Sequence, residues 1–563
     1  MKVVIVGGVA GGATAAARIR RLDEQAEIIV FERSGYISYA NCGLPYYIGG
    51  TIQEKGDLTL QTPESFDARF RVQMKVHHEV QAIHPEEHTV TVKNLETGEI
   101  FEKTYDKLLL SPGARPAQPR IPGIGLHRVF TLRTVEDTFA IRDFIDREHP
   151  ASAVLAGGGF ISLELAENLR ELGMDVTVVQ RPKQVMNPFD SDMAALIHSE
   201  LRAHGVNLAL GHTVEGFEET ENGVRVQLKG ETPLHADMVI MAIGVTPETT
   251  LAKEAGLELG IKDSIVTNDR METSAEDIYA VGDAVQVKHA VTGLDTLISL
   301  AGPANRQGRI AADNICGKDS HFKGSQGSSI LKIFDLTAAA TGLSMTGARK
   351  AGLDADFVLL SPMNHAGYYP GGRLMTMKVV FEKETFRLLG AQIIGYEGVD
   401  KRIDVLATAI HCRMDARDLK DLDLAYAPPY SSAKDPVNMA GYIIDNLSEG
   451  MIRHYSLEEL ESLPRNGSIT LLDTRTPEEF ADGHVEGFMN IPVDEIRDRI
   501  QELDPDKPVY VMCQSGLRSY IACRILEGNG LKTYNFPGGY RYYDIIRNDR
   551  QLVQTAAPCG MDQ

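Results

Sequence analysis

The chain has 563 residues, 43% of them apolar, and a net charge of −21. That length suggests about three or four ordinary domains, and the charge argues against nucleic acid or an anionic membrane as the main partner. Its six cysteines (42, 316, 412, 513, 523 and 559) lack metal-ligand spacing, so no metal site is expected, and their number suits a reducing cytoplasm.

Residues 3–6 read as a short buried strand rather than the core of a signal peptide, because the chain turns glycine-rich after four apolar residues. Gly7, Gly8, Val9, Ala10, Gly11 and Gly12 then open a helix, and a strand at Glu27–Phe31 ends in Glu32. A tight turn of this kind lets backbone N–H groups and the helix start hold a pyrophosphate, while the acidic residue accepts bonds from an adenosine ribose. Val9 stands where the middle glycine of Gly-x-Gly-x-x-Gly would be, so the flanking strand–helix–strand order and Glu32 carry the assignment.

Residues 36–50 follow, with Cys42 among them. Two cysteines beside a flavin would be spaced Cys-x-x-x-x-Cys, but the second position is Tyr47. A free cysteine is usually a small buried apolar residue. Next to a flavin-type start, a lone thiol instead forms its disulfide with something outside the chain, or is oxidised alone.

A second nucleotide fingerprint begins with a strand at Ala153–Ala156. It continues through Gly157, Gly158, Gly159, Phe160, Ile161 and Ser162 into a helix, and then a strand at Val176–Val179. No acid ends that strand, where Gln180-Arg181 stands instead. An acid would favour NADH and an arginine can pair with the extra phosphate of NADPH, so the nicotinamide type stays open. Leu108–Ala114, with Ser111 and Gly113, marks where the chain leaves the first domain, and Met241–Pro247, with Gly244, marks its return. Ile278–Ala284 places Gly282 and Asp283 at a strand end, where the carboxylate suits a ribityl chain. The expected architecture is α/β, with two Rossmann-like domains, the second inserted in the first: 1–115 with 245–325 for FAD, and 116–244 for NAD(P)H.

An α+β third domain is expected over 326–445, with strands at 332–334, 375–381 and 388–394, the last two a hairpin, and a helix at 403–411. Two aromatic loops, His365–Pro370 and Tyr426–Tyr430, lie in it. A linker is placed at 446–456, a fourth, α/β domain at 457–552 and a disordered tail at 553–563. In the fourth domain the strand Val509–Met512 ends at Cys513, and Gln514, Ser515, Gly516, Leu517, Arg518 and Ser519 lead into a helix at 520–527. A cysteine starting such a loop sits in a cup of backbone N–H groups that favours a thiolate, a persulfide or an oxyanion. Arg518 can add a cation to it.

Through Gly7–Gly12, Ser38-Tyr39-Ala40-Asn41-Cys42, Gly157–Ser162, Tyr279–Ala284 and Ala427–Tyr430, the first 445 residues resemble the single-cysteine branch of the flavin-dependent pyridine nucleotide–disulfide oxidoreductases, of the coenzyme A disulfide reductase type. Tyr39 replaces the usual phenylalanine. Asp473-x-Arg475, Gly483-His484 and the Cys513 loop resemble a rhodanese, and the pairing is similar to coenzyme A disulfide reductase–rhodanese fusions, including NADH-dependent persulfide reductases.

The resemblance implies reduction of coenzyme A disulfide, coenzyme A persulfide or polysulfide, with Cys42, Cys513, Tyr368, Tyr426 and Arg518 as catalytic residues. It also implies a homodimer whose Tyr368 and Tyr426 reach the partner subunit. FAD contacts are carried over to Gly7, Gly8, Ala10, Gly11, Glu32, Arg33, Val80, Ser111, Gly113, Gly282, Asp283 and Ala301. NAD(P)H contacts fall on Gly157, Gly159, Phe160, Gln180 and Gly244. Coenzyme A is implied along Thr14, Arg18 and Arg21, which share one helix face by their spacing, and at Ser38, Asn41, Asn305 and Lys434. Two rival readings are an NADH oxidase or peroxidase cycling Cys42 through a sulfenic acid, and a sulfur-carrier or redox-sensing protein. The oxidase branch usually carries a histidine where this chain has Ala10, and the rhodanese also disfavours it.

Overall fold

The computed structural model describes residues 1–555. It divides into two compact units: Met1–Lys183 with Gly205–Gly327, and Gln184–His204 with Ser328 onward.

The first unit holds two five-stranded parallel sheets. One runs in the order Ile278–Ala280, Lys107–Leu110, Lys2–Val6, Glu27–Phe31 and Gln73–Lys75. Its three central strands are apolar on both faces past their first residue, with Ile5, Val30 and Leu109 fully buried, as expected where helices cover both sides. The other runs Asn207–Leu210, Asp175–Gln180, Ser152–Ala156, Met238–Met241 and Val129–Thr131. The outgoing segment Ala114–Pro116 and the returning Val245–Pro247 pair with each other antiparallel. That pairing joins the inserted sheet to its host.

The second unit contains an antiparallel sheet in the order Ser329–Ile333, Leu336–Gly342, Leu388–Gly395, Thr376–Glu382 and Ala355–Leu360. The expected hairpin is there. Phe334 does not extend the first strand; it takes a left-handed turn at φ 53°. A four-stranded parallel sheet follows, ordered Met489–Asn490, Thr470–Asp473, Val509–Met512 and Thr533–Asn535.

One end of the sequence reading is overrun, and one segment of the expected nicotinamide domain also groups elsewhere. Residues 184–204 connect strands Asp175–Gln180 and Asn207–Leu210 and group with the second unit. Asp190 there accepts hydrogen bonds from the Met345 and Thr346 N–H groups and pairs with buried Lys378 at 3.0 Å. Desolvation would raise the Asp190 carboxyl, but Lys378 and these donors hold it down at about 2. At the other end, helix Gly539–Thr555 overruns the start of the expected tail. Its Asp549 accepts from His198 at 2.9 Å and from Arg202 at 2.5 Å. A buried carboxylate with two cationic or N–H partners fixes this helix where composition suggested disorder. The rest of the expected tail, with Cys559, lies outside the described residues. No helix among the described residues is long and apolar enough to cross a membrane.

Candidate active site

The first glycine turn is shaped by close backbone approach. Gly7 has φ +96°, and a Cβ there would stand 2.1 Å from the Ser111 carbonyl oxygen; one at Gly12 would stand 1.9 Å from that of Gly7. Only glycine fits. Helix Ala10–Leu22 starts at Val9 with no side-chain cap, which leaves its first N–H groups for an anion. Glu32 is buried and accepts from the Gly8 and Ser34 N–H groups, both at 2.9 Å, one on each oxygen. A carboxylate oxygen has a further lone pair, so a ribose hydroxyl can still be accepted. Asp283 accepts from Arg133 at 2.7 Å, and the Gly282 N–H bonds to Gln307. Ala10 is the first residue of helix Ala10–Leu22, Gly113 takes φ +72° just before Ala114–Pro116, Ala301 begins helix Ala301–Ile315, and Arg33 is exposed. Val80 is core, so only its backbone is left to face a nucleotide. The glycine turn, uncapped helix and paired acids fit FAD.

The second turn repeats the design. Gly157 has φ +121° and a Cβ there would lie 2.2 Å from the Ala242 carbonyl, whereas Gly159 and Gly244 face open space. Helix Phe160–Glu171 again starts without a side-chain cap. Gln180 ends its strand and Arg181 is exposed. These residues fit a nicotinamide nucleotide.

Cys42 sits in a single helical turn, Asn41–Gly43, that leads into helix Leu44–Ile48. Its sulfur is free and the residue exposed. The position a second thiol would need is filled by buried Tyr47, whose ring meets Phe139 edge-on at 5.5 Å. A cysteine pair is therefore excluded by packing as well as by sequence.

Helix Leu44–Ile48 lies against Phe160–Glu171 so closely that a Cβ on Gly49 would fall 2.0 Å from the Asn168 side-chain oxygen. This brings Glu164 and Glu167 toward the cysteine segment. Desolvation and the Glu167 charge push Glu164 up to about 7, and desolvation with Glu164 raises the Cys42 thiol, with Arg133 working the other way. Sequence reasoning missed Glu164, Glu167, Arg133 and Gln307. The available signal was acidic residues recurring on a helix that otherwise reads as apolar.

The proposed coenzyme A residues fall in two groups. Thr14 donates to Asn305 at 2.5 Å, and Arg18 is paired with Asp313 at 2.8 Å, so its charge is already partnered. Arg21 is exposed. Ser38, at φ 43°, donates its N–H to the Gly8 carbonyl and Asn41 begins the turn of Cys42. Lys434 is exposed in the second unit. Tyr368 and Tyr426 are also there, their hydroxyls 2.7 Å apart and their side chains exposed.

In the fourth domain Cys513 is buried. Its sulfur accepts from the Gly516 N–H at 3.1 Å and the Ser519 hydroxyl at 3.3 Å. Gly516 takes φ +98°, with the Pro537 carbonyl 2.0 Å from where a Cβ would be. The loop is closed from outside by the Tyr540 N–H, which donates to the Cys513 carbonyl. Arg518 is held differently from the expectation: its guanidinium makes two bonds, at 2.7 and 2.8 Å, to Glu479, which it keeps at about 2. Asp473 and Arg475 form a buried pair, with the guanidinium 4.0 Å above the Tyr540 ring. Cys523 is buried, and desolvation pushes it up to about 12.

Residues 1–308 match the pyridine nucleotide-disulphide oxidoreductase family, 328–436 its dimerisation domain and 456–544 the rhodanese-like domain. A coenzyme A disulfide reductase of Staphylococcus haemolyticus is 39% identical over 442 residues, 78% of this chain and 98% of that protein. A crystal structure of a reduced CoADR-RHD from Bacillus anthracis superposes with a TM-score of 0.95 at 47% identity, covering 98% of both chains. A NAD-dependent persulfide reductase from A. fulgidus gives 0.91 at 38% identity, covering 96% of this chain and all of that one.

Proposed function

We infer, for a chain that belongs to the pyridine nucleotide-disulphide oxidoreductase family, that it reduces coenzyme A disulfide and coenzyme A persulfide or polysulfide at the expense of NAD(P)H, as a homodimer. The carrying observation is the lone exposed Cys42 with Tyr47 filling the place of a second thiol. The first glycine turn would hold FAD and the second a nicotinamide nucleotide, which together would supply the two electrons. Cys42 as thiolate attacks a sulfur of coenzyme A disulfide, releases one coenzyme A thiolate and keeps the other half as a mixed disulfide. Two electrons and one proton then return Cys42 and free the second coenzyme A thiol. With a persulfide, attack on the terminal sulfur transfers that sulfur and releases the parent thiol; reduction then yields sulfide.

Glu164, near 7, is suited to hold the proton exchanged as Cys42 changes state. Tyr368 and Tyr426 are assigned to the thiolate that leaves, and Thr14, Arg21, Ser38, Asn41, Asn305 and Lys434 to coenzyme A. Arg18 joins them only if it exchanges Asp313 for a phosphate. Cys513 is read as the acceptor of sulfane sulfur, because two donors already face its sulfur. The rhodanese domain and the persulfide reductase among the similar structures support that half of the reading. Mass spectrometry of the unreduced protein tests the centre: a coenzyme A adduct on the Cys42 peptide is expected. No adduct under turnover with coenzyme A disulfide would overturn it.

A further inference from the structure

We propose that Arg402 is the positioning residue of the Tyr368–Tyr426 pair, holding both aromatic loops from one buried guanidinium. The proposal rests on the reading above that these tyrosines serve the sulfur chemistry.

Arg402 lies on helix Val399–His411 and is 1% exposed. Its ion-pair partner is Asp435, at 3.0 Å, itself buried. A lone buried pair would need only one face of the guanidinium, yet this one is used further. Nη2 also lies 3.0 Å from the Asn364 carbonyl, 3.1 Å from that of Tyr430 and 3.0 Å from the Ser431 hydroxyl. Nη1 reaches the Gly398 carbonyl at 3.0 Å. Asn364 immediately precedes the loop of Tyr368, and Tyr430 ends the loop of Tyr426.

The neighbouring Lys401 donates to the Ala425 carbonyl at 3.1 Å. The second loop is thus gripped at both ends and the first at its root. The loops also hold each other, through the Ala366 N–H on the Ser431 carbonyl at 3.0 Å and the two phenols at 2.7 Å.

Only arginine offers a planar set of donors able to meet a carboxylate and main-chain carbonyls together. Gly398 fits the same design, since a Cβ there would stand 2.1 Å from Nη1. The tyrosine tips are exposed, Tyr368 by 76% and Tyr426 by 46%. Their placement therefore depends on what holds the loop roots, and supports of this kind fix a reactive geometry.

The test uses the full-length dimer with NADH and coenzyme A disulfide. Arg402→Lys keeps a charge for Asp435 but loses the fork. It should lower kcat about tenfold with KM within about twofold, and leave the rate of NADH-driven flavin bleaching unchanged. In the Tyr368→Phe/Tyr426→Phe background the same substitution should cost less than about twofold, since the residue acts through the phenols. An equal loss in both backgrounds, or none in either, overturns the proposal.

Hydrogen exchange supplies a readout apart from turnover. Arg402→Lys should raise exchange in 365–370 and 426–431 together, and protection kept in either loop overturns the positioning. If Tyr368→Phe/Tyr426→Phe retains the wild-type kcat, the reading of the tyrosines fails, and the exchange result alone decides on Arg402. Should Arg402→Lys not fold, Lys401→Met, which releases the Ala425 carbonyl and a longer contact to Asp435 at 3.4 Å but leaves the Arg402 fork in place, goes through the same cycle. Its loss of kcat, about twofold to threefold, must then vanish in the background without the phenols, and a loss that persists overturns the proposal.

Discussion

Cys42 and Cys513 are both lone thiols just ahead of a helix, yet their surroundings are opposite. No hydrogen bond from the described residues reaches the Cys42 sulfur, and desolvation first, then the Glu164 carboxylate, raise its pKa. Cys513 is buried and already receives a backbone N–H and a hydroxyl. A thiol without donors gains little from resting as an anion, and suits forming and breaking bonds with a substrate. A sulfur inside a donor cup suits holding an anionic persulfide between reactions. On the proposed reading, the two helix-start cysteines divide attack from storage.

The largest expected effect breaks the first half of that contrast. Cys42→Ser should lower NAD(P)H-dependent reduction of coenzyme A disulfide and of a small persulfide by about 10³-fold or more. The flavin absorbance should be retained, because the thiol holds none of the turn that cradles FAD. Steady-state rates and a flavin spectrum check both. Substantial turnover would place the chemistry elsewhere.

Cys513→Ser breaks the other half. Sulfur transfer from thiosulfate or a similar donor should fall by about 10²-fold or more, while coenzyme A disulfide reduction stays within about twofold. Persulfide reduction should fall partly with small persulfides and further with bulky donors, which need a relay. Equal activity of variant and wild type on every sulfur donor would leave the rhodanese domain without a role in the reaction.

The contrast between the thiols was only partly legible in the sequence. Motif spacing gave both nucleotide folds, the loop of Cys513 and the absence of a second thiol, because glycines, strand runs and a missing cysteine are local facts. Arg18 and Arg518 were visible as cations but not as partnered ones. Asp313 lies 295 residues from Arg18 and Glu479 lies 39 from Arg518, so the pairings exist only after folding. A separation of 351 residues likewise hid Asp549 with His198, and with it the helix that runs into the expected tail. Glu164 was hidden for another reason: its special state comes from desolvation beside Glu167, which composition does not report.

A smaller effect separates the nicotinamide site from the sulfur sites. Gln180 neither repels a ribose phosphate nor rewards a free hydroxyl with a charge-assisted bond. Gln180→Glu should lower kcat/KM with NADPH about tenfold, by ~1.4 kcal/mol of like-charge repulsion, and leave NADH within about twofold. Unchanged kcat/KM with NADPH would show that Gln180 does not face the ribose.

The smallest effect sharpens the account of Cys42. Desolvation and Glu164 both raise this thiol, and only the second can be removed by substitution. Glu164 is pushed up to about 7, so from about pH 8 upward it is mostly charged and opposes the thiolate. Glu164→Gln keeps the shape and deletes the charge. The pH midpoint for alkylation of Cys42 by iodoacetamide, followed on its tryptic peptide, should then fall by about 0.5, the size expected of one carboxylate acting across partly hydrated protein. Desolvation keeps the midpoint above that of a free thiol even in the variant. At Cys513 the same substitution should do nothing, because the donors there belong to its own loop and to the first turn of helix Leu517–Gly528 that follows it. A midpoint that stays put at Cys42 would mean that burial alone sets its reactivity, and Glu164 would then be free to serve the nicotinamide side only.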